Sequence, residues 1–239
     1  MRWPPLPDKV ASALVRASIA ALLLLLGYAL SIAVRTGLAD VYAAPAKSYL
    51  QTKRNADEVL TGDEWQALDG SLIRALALAP GDPENLSELG RLYRILLEAD
   101  DLDAGQISRD GDAAAGYYRA ALAQRPTWPW DWGNLALVKY QQYQDTTGVY
   151  QDALVRVVEF GPRESSLQDR VAKLGSHSWS ALNPAAALAV LTAADRALER
   201  DPQSFSGMDD AKERWRPLCT HAGDSFPYLK RRCEMLGLT

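Results

Sequence analysis

Apolar residues fall into two regimes along this chain. From Ala17 to Val34 they are continuous, ASIAALLLLLGYALSIAV, 18 residues without a charge. From Trp65 onward they recur three and four apart, the spacing of one helix face. Leu68, Leu72 and Ala75 share such a face; Leu86, Leu89, Gly90 and Tyr93 share the next. Between them Pro80 stops one helix. Gly81-Asp82-Pro83 then makes a turn, with Asp82 a good N-cap and Pro83 at the first helical position. Thr61 and Glu64 form a capping box before Trp65, and Ser165-x-x-Gln168 reads as another. Asn183-Pro184 opens the last long helix, AAALAVLTAADRALER. Leu38 to Leu60 reads as a helix broken near Pro45. Ala and Leu dominate and β-branched runs are few, so the fold class is all-α.

The helix-stopping prolines repeat. Pro80 closes RALALAP, Pro126 closes RAALAQRP, Pro162 closes RVVEFGP and Pro202 closes RALERDP. Arg74, Arg156 and Arg196 each stand six residues before their proline, and Arg119 stands seven before its own. The apolar phase repeats too. Trp132, Leu135 and Ala136 lie at the offsets from Pro126 that Leu86, Leu89 and Gly90 hold from Pro80, and Val171 and Ala172 fall at the last two of these offsets after Pro162. Ala-x-x-x-x-Pro followed by large-x-x-Leu-Gly-x-x-Tyr is the tetratricopeptide (TPR) signature, and the chain is expected to fold as a TPR-like α-solenoid of helix pairs. Gly90 is expected to let two helices approach closely, with Tyr93 filling the space beside it. Steps of 46, 36 and 40 residues between prolines exceed the TPR period of ~34, so each unit carries an insertion. The largest is expected as a polar loop at Glu98–Asp112, EADDLDAGQISRDGD.

The continuous apolar stretch is long enough to cross a bilayer, with Arg16 and Arg35 able to snorkel to its two interfaces. A cleaved signal peptide is the competing reading, with Val41-Tyr42-Ala43 as its cleavage site. The apolar run is longer than a signal core, which favours an uncleaved anchor. The basic tail (Arg2, Lys9, Arg16) argues for a cytoplasmic N-terminus, against Arg35, Lys47, Lys53 and Arg54 beyond the span. The organisation expected is a cytoplasmic tail at 1–16, a transmembrane helix at 17–34, a connecting helix or linker at 35–60, a TPR-like domain at 61–203 and a C-terminal capping segment at 204–239. A net charge of −4 with 23% charged residues argues against broad nucleic-acid binding. The two cysteines, Cys219 and Cys233, could be free thiols. A bridge between them would close a loop of 13 intervening residues and stabilise the tail by about 3 kcal/mol.

The membrane span, RAL-x-L-x-P-x-x-PENL-x-x-LG-x-LY from Arg74 to Tyr93 and RP-x-WPWDWGNLALVK from Arg125 to Lys139 together resemble the VpsP family. Its members are membrane-anchored, TPR-like proteins encoded with bacterial exopolysaccharide systems, including those with PEP-CTERM and exosortase proteins. The resemblance implies a role in polysaccharide synthesis or export at the inner membrane, with the bulk of the chain periplasmic. It brings no catalytic residues and no cofactor. The cysteine pair fits the same family picture.

Candidate binding residues follow from helical phase. Arg91 and Arg94 fall on the inner face of the Leu86 helix, where they could grip an acidic peptide or a charged sugar; pairing with Glu88 or Glu98 is the plainer reading. Of the clustered tryptophans, Trp132 takes the large core position and Trp128 a staple at the helix start. Trp130 is expected to be exposed on the inner face, sharing it with Tyr140 and Gln141. Asp100, Asp101, Asp103, Asp110 and Asp112 do not match a calcium loop, because the Gly and the closing Glu are misplaced. His177 and His221 have no acid at ligand or triad spacing, and no G-x-S-x-G, phosphate loop or dinucleotide fingerprint is present. The expected protein is therefore a scaffold or adaptor binding partner proteins, not an enzyme. The alternatives are a carbohydrate-binding module for the nascent polysaccharide and an adaptor of another envelope or secretion assembly.

Overall fold

The computed structural model describes residues 8–52, 61–99, 102–205 and 212–238. Residues 1–7 of the basic tail, Lys53 and Arg54 with the rest of 53–60, Asp100 and Asp101, and residues 206–211 and 239 lie outside the described residues. Among the described residues there are ten α-helices and no strand. They are α1 (Asp8–Thr52), α2 (Gly62–Leu78), α3 (Pro83–Leu96), α4 (Ala104–Gln124), α5 (Pro129–Gln141), α6 (Gly148–Phe160), α7 (Ser165–His177), α8 (Pro184–Arg200), α9 (Lys212–His221) and α10 (Pro227–Leu236).

Local chemistry accounts for most helix starts. Thr61 and Glu64 close their capping box, the Asp82 side chain accepts from the Asn85 N–H, and Asn183 accepts from Ala186. Two starts differ from expectation. The polar segment Glu98–Asp112 is mostly helix, because Asp103 and Gln106 form a capping box that begins α4 at Ala104. Ser165 is not a cap: α7 follows Glu164, whose side chain caps nothing, and the Gln168 amide turns inward to donate to the Gly161 carbonyl at 2.7 Å.

The helix α1 departs most from the expected organisation. It runs through Pro45 without a break and spans 45 residues. Proline removes one ladder hydrogen bond, but packing against the body compensates. Ala39, Ala43, Ala46 and Leu50, spaced four, three and four apart, are buried in a core shared with Leu68, Leu72 and Ala75 of α2 and Leu89 and Leu92 of α3. The N-terminal part of the same helix is apolar and exposed on all sides. It holds a stretch with mean hydropathy 2.3, none of it buried, and is long and apolar enough to cross a membrane. The α2–α3 turn, Leu78–Asp82, lies beside Ile32, Arg35 and Thr36, next to that stretch.

Each helix of the body packs on its successor in sequence, α1 on α2, α3 on α4, α5 on α6 and α7 on α8. The first helices of these couples also touch in order, α1–α3, α3–α5 and α5–α7, and α6 touches α8. Gly90 permits the α3–α4 approach: a Cβ there would lie 2.9 Å from the Tyr118 ring, which is fully buried. Tyr118, not Tyr93, fills that space; Tyr93 is half-buried, edge-on to Trp65. Gly175 does the same between α7 and α8, where a Cβ would meet Val190 at 2.1 Å. At the far end, Trp215 of α9 is fully buried against Phe205, and Cys219 is bonded to Cys233 across α9 and α10 with a Cα–Cα distance of 5.4 Å.

Candidate functional site

Helices α3, α5 and α7 touch in order, and the guanidinium groups of Arg91, Arg94 and Arg170 gather along them. Arg91 and Arg94 lie there but are already engaged. Arg91 Nη2 donates to the Leu50 carbonyl at 2.5 Å, and its guanidinium lies 3.7 Å from Glu88. Leu50 sits in the last turn of α1, where carbonyls lack helical partners, so Arg91 caps that helix. Arg94 pairs with Glu98. Arg170 of α7 stands close enough that burial first, and then Arg94 and Arg91, push its guanidinium down from its ordinary value; its Nη1 donates to Asn134 of α5 at 2.9 Å. Glu88 is raised above the usual carboxylate value by burial, with Arg91 opposing.

Within the tryptophan segment, Trp130 is half-buried against the larger core rather than exposed. Trp132 is half-buried between two cores and donates to the Pro126 carbonyl at 2.8 Å. Trp128 is exposed, with the Arg125 guanidinium 5.0 Å above its ring. The segment's main structural work is done by residues that phase did not single out. Arg125 Nε donates to Asp131 at 2.9 Å and its Nη2 to Ser87 at 2.6 Å. Ser87 in turn lies 2.6 Å from the other Asp131 oxygen. Asp131 is 1% exposed, so this network pins the start of α5 to the start of α3. Burial raises the Asp131 carboxyl, with Ser87 and Arg125 pulling it back. An acid in the first turn of a Pro-started helix was the available signal, but its partner Ser87 lies 44 residues away.

Trp130 and Tyr140 are not brought together. They lie at opposite ends of α5, about 15 Å apart along its axis at 1.5 Å per residue. Tyr140 instead lines a cleft of about 680 Å³ beyond the C-terminal ends of α3, α5 and α7. Leu97, Ala99, Leu102 and Ile107 make its aliphatic wall. Tyr140, Tyr143 and His177 make the aromatic one, with Gln141 and Asp145 supplying polar groups. The His177 ring is edge-on to Tyr140 at 6.0 Å and is held by its Nδ1–H donating to the Lys173 carbonyl at 2.7 Å. Lys139 lies beneath, 4% exposed, with Nζ bonded to Gln142 and Gln144 at 2.7 and 3.0 Å. Burial pushes its ammonium down, with Asp112 opposing.

Tyr143 is unusual. Its φ is +56°, the left-handed region, and its ring is 83% exposed. The Tyr143 N–H donates to Tyr140 and the Gln144 N–H to Lys139, at 2.9 and 2.8 Å, which is the Schellman ending of a helix. Glycine normally takes this position, and a tyrosine there costs about 1 kcal/mol. The helix ending does not require a ring at that point.

The remaining acids of the polar segment are dispersed: Asp103 caps α4, and Asp112 accepts from Gln142 at 3.0 Å. Among the described residues no three His, Cys, Asp or Glu side chains converge. No protein-family model matches the chain, and no curated protein matches it.

Proposed function

We propose that this protein is a membrane-anchored scaffold: a TPR-like stack of helix pairs that recruits protein partners of a bacterial exopolysaccharide synthesis or export machine. One observation supports the scaffold reading above the others. The anchor is not linked to the body; it is part of it, because the body-facing stretch Ala39–Leu50 packs as the first helix of the first couple. In that arrangement α1, α3, α5 and α7 are the first helices of four units, and their row forms the inner face on which extended chains dock. The exopolysaccharide assignment rests on the resemblance of the Arg74–Tyr93 and Arg125–Lys139 segments to the VpsP family. A periplasmic body at the inner membrane accords with the cysteine pairing, since disulfides persist in oxidising compartments.

Photo-crosslinking in the native host tests the reading. A photoreactive amino acid at Trp128, exposed at the start of α5 in the inner row, should capture one discrete protein. The same group at Asp152, on the exposed side of α6, should not. Equal capture from both positions, or none from either, would overturn the scaffold assignment.

A further inference from the structure

We propose that the cleft beyond α3, α5 and α7 is the docking site for an arginine side chain presented by a protein partner. This deepens the scaffold reading and rests on it. The cleft holds hydrogen-bonding capacity that the fold leaves free. Gln141 lines it, with an Oε1 that accepts no hydrogen bond and is shielded from solvent, so the amide must turn outward to meet a ligand. The Asp145 carboxylate forms no ion pair among the described residues, while Arg94 is taken by Glu98 and Lys139 by two glutamines. The His177 Nδ1–H is committed to the Lys173 carbonyl. The polar groups lining the cleft thus include one carboxylate, Asp145, beside the His177 ring and the Tyr140, Tyr143 and Gln141 groups, which can accept as well as donate.

A guanidinium is the complementary group: five donors, no acceptor, one positive charge and a flat face that stacks on aromatic rings. Tyr140 and Tyr143 supply such rings on one wall. Leu97, Leu102 and Ile107 supply apolar surface on the other for the methylene stem or for an aliphatic neighbour in the partner chain. The left-handed backbone of Tyr143 then has a use, since it holds an exposed ring at the cleft rim in a conformation that glycine would adopt without strain.

The test uses the full chain in nanodiscs and the peptide acetyl-Ala-Leu-Arg-Leu-Ala-amide, with a counterpart in which citrulline, the uncharged isostere, replaces arginine. Calorimetric titration should show saturable binding of the arginine peptide and binding weaker by about tenfold or more for citrulline. Asp145→Asn should weaken the arginine peptide by a similar factor. Tyr143→Gly should abolish the difference between the peptides while leaving the melting temperature unchanged or higher, which separates loss of the ring from loss of the fold. Equal affinity for both peptides, no saturable binding, or unchanged affinity in both variants would overturn the proposal. So would displacement of the peptide by equimolar maltohexaose, which would make the cleft a sugar site. Capture from Trp128 that persists in Tyr143→Gly and Asp145→Asn while the peptide fails would end the cleft assignment and leave the scaffold intact. Absence of capture from Trp128 in the otherwise unaltered protein would end both.

Discussion

The two halves of α1 share one secondary structure but differ in composition and in surroundings: 15 of the 18 residues from Ala17 to Val34 are apolar and none is charged, against 9 of 18, with Arg35, Asp40 and Lys47, from Arg35 to Thr52. Around Leu22–Leu26 every side chain is exposed, Leu24 at 76%, and large aliphatic groups point in all directions. Between Ala39 and Leu50 only one stripe is covered, and three of its four residues are alanine, with Ala43 and Ala46 at 0%. Hydrophobicity separates the halves, and side-chain volume separates their two apolar surfaces. Leucine on every side suits a surrounding without shape, such as lipid chains. A narrow alanine stripe suits one fixed neighbour, because small residues let α2 come close. The arginine at position 91 then seals the end of that close contact by bonding the Leu50 carbonyl.

The strongest test of this contrast is charge. Leu24→Arg places a guanidinium at the centre of the exposed apolar half and should disfavour membrane insertion by about 3 kcal/mol, whereas Val41→Arg, 67% exposed beyond Arg35, should insert normally. Carbonate extraction of membranes reads the difference; loss of both proteins from the membrane fraction would erase the boundary drawn here. Volume comes next. Ala43→Leu overfills the α1–α2 contact and should lower stability by about 1–3 kcal/mol, while Leu24→Ala leaves the melting curve of the purified protein unmoved. A silent Ala43→Leu would place the stripe elsewhere. Arg91→Met removes the cap on α1 and leaves Glu88 without its nearest cation, an expected loss of about 1–2 kcal/mol in the same melting experiment.

The smallest expected effect is a pH dependence beside that contact. Burial raises the Glu88 carboxyl above 4.5, so between that value and its raised one the folded protein binds more protons than the unfolded chain. Stability should therefore rise slightly as pH falls from neutral through this window. Asp69, Asp110 and Asp131 are shifted in the same direction. Glu88→Gln should flatten the slope of melting temperature against pH; an unchanged slope would remove Glu88 from the account.

What was legible in the chain was local. The caps at Thr61, Asp82 and Asn183 lie within three residues of the groups they bind, and the buried positions Leu68, Leu72, Leu89 and Leu135 follow directly from helical phase. Asp103-x-x-Gln106 was equally local, and the acids surrounding it masked a readable helix start. Pro45 reads as a break because an isolated helix loses a hydrogen bond at proline, whereas here the exposed Pro45 is flanked by Ala43 and Ala46, both buried in the core shared with α2 and α3. Arg91 could not be assigned from phase, since its partner is a backbone carbonyl 41 residues away. The aromatic cleft was half visible, in Tyr140 and Gln141. Its other half depends on Tyr143 adopting a backbone conformation that nothing in the residue type announces.

At 1.5 Å per residue, the 45 residues of α1 make a rod of about 67 Å. There is no swivel between its exposed apolar end and the end clasped by α2 and α3. Twisting or leaning one end therefore turns the other. A neighbour gripping the apolar surface could steer where the helical body points without touching it.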